Sequence, residues 1–117
     1  MVDNGGKEFD ISDEKNILKI NSPKDSINGP YKVLYTDIHE RWSVVLLQWD
    51  GKPRLGMRWF WGSHGEPNSH GYSTWFVIPS ELSIAILNGL PLAHDIRIAV
   101  ENFLCGKVQE DVFTKNG

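Results

Sequence analysis

Between Trp49 and Trp61 the sequence WDGKPRLGMRWFW gathers Lys52, Arg54 and Arg58 with a run of three large rings, Trp59, Phe60 and Trp61. A guanidinium offers a planar fork of donors that matches phosphate oxygens, and it also stacks on flat rings. An aromatic side chain stacks on a nucleobase, and only an unpaired strand presents its bases and its phosphates together. If the segment is a regular strand, its side chains alternate between two faces. Arg54, Gly56, Arg58 and Phe60 then share one face, and Leu55, Met57, Trp59 and Trp61 share the other. The first face is the candidate binding surface, with phosphate pairing at the arginines and stacking at Phe60. Arg41, just ahead of the preceding apolar run, is added to it on charge. The second face is the natural core partner of the helices, although Trp61 suits core and stacking equally. Trp42, Trp59 and Trp75 read as core rings.

Other chemistries find less support. His64 and His70 bracket the stretch SHGEPNSHG, but a zinc site needs two further ligands, so exposed loop histidines are the expectation. Cys105 ends an apolar helical stretch and reads as a small buried hydrophobe. There is no nucleophile-elbow motif and no phosphate-cradling glycine run before a helix. The reading assigns no catalytic residue, no metal and no cofactor, and the protein is expected not to be an enzyme.

The elements that position these residues are legible from their periodicity. YKVLYTDI alternates, with Tyr31, Val33 and Tyr35 on one side and Lys32, Leu34 and Thr36 on the other. RWSVVLLQW is rich in β-branched and aromatic residues, as half-buried strands are. Asp50-Gly51 is a hairpin signal, and RLGMRWFW is the third strand. GSHGEPNSHGY, Gly62 to Tyr72, carries three Gly and one Pro and reads as a long surface loop. STWFVI is a fourth strand. Pro79-Ser80-Glu81 opens a helix, with Ser80 as its cap and Glu81 in the first turn. Gly89 and Pro91 break that helix, and a second runs from about Leu92 until Gly106. The predicted fold is α+β, a curved four-stranded antiparallel sheet followed by a helix, a break and a second helix.

A chain of 117 residues with 40% hydrophobic and 23% charged residues suits one globular domain. Residues 31–117 form that domain. Residues 1–30 read as a polar, partly disordered appendage, in which NILKI is either a short edge strand or one helical turn and NSPKDSINGP is a linker. The C-terminal QEDVFTKNG reads as a loose tail. The acidic N-terminus is unlike a secretory signal, no apolar stretch is long enough to cross a bilayer, and a single cysteine fits a reducing compartment. The expected location is therefore cytoplasmic, on the nucleoid or in the nucleus according to cell type. The net charge of −3 is uneven: residues 1–30 and 79–117 each carry −2, and residues 31–78 carry +1. Any attraction to nucleic acid must come from a local basic face.

The segment from about Arg41 to Leu90 resembles the positive-cofactor-four family of transcriptional coactivators. The shared pattern is an aromatic residue (Trp49), a Gly-Lys turn (Gly51-Lys52), a strand ending in Arg, two residues and Trp (Arg58 and Trp61), a loop, a short apolar strand (Val77-Ile78), Pro79 and an amphipathic helix (Leu82 to Leu87). The resemblance implies a homodimer whose curved sheets grip single-stranded DNA, with RNA as a second candidate ligand. It implies nucleic-acid-binding roles for Lys52, Arg58 on phosphate and Trp61 on a base. Because strict alternation separates Arg58 from Trp61, a bulge near Phe60 is then required. The chain departs from the family in its loop, which has Glu66 and no Lys or Arg, and in the broken helix. A competing expectation follows from the acidic termini: a protein-interaction module that uses the aromatic sheet face and binds no nucleic acid.

Overall fold

A computed structural model of the chain describes residues 9–62 and 64–106. In chain order the elements are α1 (Glu14–Leu18), β1 (Ile27–Asp37), β2 (Trp42–Trp49), β3 (Lys52–Trp59), β4 (Asn68–Ser69), β5 (Tyr72–Ser73), β6 (Phe76–Val77), α2 (Ser80–Gly89) and α3 (His94–Leu104). β1, β2, β3 and β6 form one antiparallel sheet in that order, followed by the two C-terminal helices. This is the predicted α+β architecture.

The hairpin at its centre follows from two residues. Asp50 and Gly51 have φ of 51° and 80°, the left-handed pair a two-residue turn requires, and they bring Trp49 opposite Lys52. From there β2 and β3 pair without interruption to Trp42↔Trp59. β2 is buried on both sides. Val44 and Leu46 face the core beneath α2 and α3, while Val45 and Leu47 face a second core on the other side of the sheet. That double burial explains why the run VVLL is continuously apolar rather than alternating.

The second core corrects the reading of residues 1–30 as an appendage. α1, with the chain around it, lies against the sheet, and Ile11, Ile17 and Ile27 are buried there with Val33, Val45, Leu47, Phe60 and Trp75. Asp13 caps α1, its side chain accepting from the Lys15 N–H at 3.0 Å. The expected linker supplies the start of β1, so the first strand begins at Ile27 rather than Tyr31. The expected disorder before residue 9 and the loose tail after residue 106 lie outside the described residues.

Three further expectations are corrected by geometry. β1 does not alternate strictly, because register shifts between Asn28 and Lys32 and between Val33 and Tyr35 put Val33 in the α1-side core and Tyr31 and Leu34 in the helix-side core. The long loop contains a small hairpin: β4 and β5 pair around His70-Gly71, both with positive φ. Ser80 is the first residue of α2 and not its cap; the capping position is Pro79, which offers no side-chain bond, while Glu81 lies in the first turn as expected. The helix break falls between Gly89 and His94, where Arg97 donates to the carbonyls of Leu87 and Leu92 at 2.9 and 3.1 Å. Among the described residues no helix is long and apolar enough to cross a membrane.

Candidate functional site

Gly56 is the pivot of the face expected to bind. A Cβ there would come within 2.8 Å of the Leu47 side chain and 3.4 Å of Trp75. Space above the glycine is therefore filled by core side chains and offers no opening for a ligand.

Two positions further along β3, Arg58 is 1% exposed. Its Nη1 donates to the carbonyls of Pro67 (2.9 Å) and Thr74, and its Nη2 donates to the carbonyl of His64 at 2.5 Å. The guanidinium carbon lies 5.1 Å from the Phe60 ring centroid. One cation thus gathers three carbonyls from the segment that follows the strand, a use of the fork of donors that a lysine could not reproduce. Burial lowers its pKa to about 10, with the negative charge of Glu66 opposing that shift, so the group is still a cation at neutral pH. Gly65 is required where the segment passes. Its φ is +65°, and a Cβ would collide with the Trp59 carbonyl and Arg58 Nη2. Trp59 and Glu66 close the passage with a pair of backbone bonds at 2.7 and 3.1 Å.

The bulge expected near Phe60 takes another form. β3 ends at Trp59, the Phe60 N–H donates to the Arg41 carbonyl at 2.8 Å, and the chain turns at Gly62 with φ +74°. Phe60 points into the α1-side core at 2% exposure, and Trp61 emerges at 52%. The shared groove of Arg58 and Trp61 is accordingly not formed. Arg58 lies inside the fold with its fork committed to backbone carbonyls, where no phosphate reaches it.

Arg41 is the cation that does meet Trp61. It sits at the β1–β2 turn with φ 59°, and its guanidinium carbon is 5.7 Å from the Trp61 ring centroid. Its Nε donates to the Phe60 carbonyl at 3.1 Å and its Nη2 to the Phe9 carbonyl at 2.9 Å. Lys52 is exposed, and half-buried Arg54 donates to the Pro53 carbonyl at 2.8 Å. Both belong to the hairpin end of β3, about 20 Å from the Trp61 end at the ordinary rise of a strand. The structure therefore brings Arg41, Phe60 and Trp61 together and leaves Lys52 and Arg54 at the far end.

The helix-side face of the sheet carries a surface that sequence parity assigned wholly to the core. Leu55 and Met57 do pack beneath α2 and α3, as expected. Beyond them the rings of Tyr35 and Trp42 lie 5.3 Å apart, Trp42 is opposite Trp59, and Met57 is opposite Phe76. Trp59 and Phe76 are 41% and 55% exposed. Cross-strand pairing thus makes a row of rings across the sheet whose far end is open. The signal in the sequence was the length of the helices: short helices after a long hairpin leave part of a sheet face uncovered. His64 and His70 are exposed, and Cys105, expected to be buried, is an exposed C-cap of α3. Among the described residues no three His, Cys, Asp or Glu side chains gather in a metal-holding group.

Comparison of the chain with protein-family models, with curated proteins and with solved structures returns no match in any of the three.

Proposed function

We propose that the protein binds single-stranded nucleic acid, DNA with RNA as the competing ligand, through open aromatic rings at the Trp59–Trp61 end of the sheet. The observation that carries this reading is the pair of exposed indoles, Trp59 and Trp61, with the Arg41 guanidinium 5.7 Å from the second ring. Exposed rings beside a cation are what a strand with unstacked bases and charged phosphates selects for. Phe76 extends the stacking surface on the helix-side face, whereas Lys52 and Arg54 stand at the far end of β3 on the opposite face. The motif resemblance from Arg41 to Leu90 supports the same ligand class and a coactivator-like role in transcription, in the cytoplasm or nucleus. Arg58 and Phe60 enter this reading as supports of the loop. A second copy would pack on α2 and α3, whose exposed Leu82, Ile84 and Ile98 give a homodimer its apolar surface.

The test is direct binding of a labelled oligo-dT by the full chain across a salt series. With Arg41 as the phosphate contact beside the open rings, log affinity should fall against log salt with a slope of about −0.7. The same open rings also suit a protein partner, and the net charge of −3 favours that reading over a long electrostatic footprint. Absence of oligo-dT binding at low salt, together with a protein captured by pull-down, would favour the protein partner.

A further inference from the structure

Phe9 occupies a position that a ligand ring could take. Its ring stacks on Phe60 with centroids 5.1 Å apart and an interplanar angle of 25°. Its carbonyl accepts from Arg41 Nη2, so Phe9 presents a flat ring to Phe60 and a carbonyl oxygen to the Arg41 guanidinium. Beneath it is a cleft lined by Phe9, Phe60, Arg58, His64 and Ser73, with space for about one water molecule. Arg58 lines this cleft, and its buried Nε is the one buried side-chain nitrogen or oxygen among the described residues without a hydrogen-bond partner. A buried donor left unpaired is costly, and sites that carry one are where a missing acceptor belongs. Phe9 itself is only half-buried, and the firm anchors of its segment, Ile11 and Ile17, come after it.

We infer that the cleft is a nucleobase slot plugged by Phe9: a pyrimidine displaces the phenyl ring, stacks on Phe60 and offers a carbonyl oxygen to Arg58 Nε. A pyrimidine and a phenyl ring have similar area, so the exchange keeps the stacking surface and adds an acceptor. Because the plug competes with the base, apparent affinity is reduced by the fraction of molecules in which Phe9 is seated. The inference rests on the single-stranded nucleic-acid reading and extends it from the open Trp59–Trp61 surface to an interior position.

The experiment compares the full chain with Phe9→Ala and Phe9→Leu, first checking that each melts cooperatively. Each is titrated with oligo-dT and with an abasic oligomer of equal length. The slot predicts that both variants bind oligo-dT about tenfold more tightly than the wild-type protein while their affinity for the abasic strand is unchanged. If the wild-type protein binds oligo-dT and both variants bind it equally well or more weakly, the slot is wrong and the surface reading stands. A gain of the same size on the abasic strand also overturns the slot, since it shows a phosphate effect. If no form binds either strand, the nucleic-acid reading falls and the slot with it.

Discussion

Arg58 lies in β3 and Trp61 two residues past its end, yet the first is sealed at 1% exposure and the second stands open at 52%. The turn through Phe60 and Gly62 separates them, and it assigns them different tasks. Arg58 holds the loop that shapes the end of the sheet, and Trp61 is on the surface that the loop leaves free. A guanidinium that holds three carbonyls is a structural cross-link, and its loss is felt as unfolding before it is felt as weaker binding.

Arg58→Ala should therefore cost about 2–4 kcal/mol of stability, because three carbonyls lose their donor and a cavity remains. Urea denaturation monitored by circular dichroism measures it. Arg58→Lys should recover less than half, since one ammonium cannot serve the carbonyls of Pro67, Thr74 and His64 together.

The pH dependence of that cross-link has a definite sign. Burial lowers the Arg58 pKa from the ordinary guanidinium range to about 10, so keeping the charged form inside the fold carries a fixed cost at neutral pH. That cost is relieved only as pH rises through about 10 and beyond, where the folded state loses its proton before the unfolded chain does. Between about pH 6 and about pH 9 the group is protonated in both states. The stability difference between wild type and Arg58→Ala should be flat across that window in a series of urea melts.

Two glycines in the same loop make a controlled pair. Gly65→Ala combines a positive φ with a collision against the Trp59 carbonyl and Arg58 Nη2, whereas Gly71→Ala, also at positive φ, meets only the edge of the His64 ring near 4 Å. The first should lose more than about 2 kcal/mol and the second about 1 kcal/mol, the ordinary cost of a left-handed alanine. Thermal melts of the two variants side by side provide the comparison.

Ile17→Ala tests whether the N-terminal segment belongs to the fold. Ile17 is fully buried against the sheet, and its truncation should cost about 2–4 kcal/mol. An appendage would show no change in the denaturation midpoint.

These expectations show what could be read from residue order and what could not. The Asp50-Gly51 hairpin and the helix break at Gly89-Leu90-Pro91 are local signals fixed by turn chemistry and appear as read. β2 is a strand as read but is buried on both faces where half-burial was expected. The failures concern which layer covers which face. Alternation correctly put Arg54, Gly56, Arg58 and Phe60 on one side of β3, but nothing local says that Ile11, Ile17 and Ile27 lie over that side. Their hydrophobic spacing is spread over seventeen residues and across two elements. Alternation likewise matched Trp59 with Met57, but only the helix lengths and cross-strand register reveal that cover stops short of Trp59 and Phe76. Arg58 looked like a surface cation because a buried arginine is rare, and its partners are main-chain carbonyls that no side-chain motif announces.

Tryptophan emission during titration with oligo-dT at low salt tests the central claim most directly, using the wild-type chain and the Trp59→Ala/Trp61→Ala double variant. Stacking on the open indoles predicts saturable quenching in the wild type, and in the double variant a loss of about 2 kcal/mol or more of binding energy with an unchanged melting profile. Wild-type emission that stays constant as the oligomer is added, or a double variant that binds as tightly as the wild type, would contradict it.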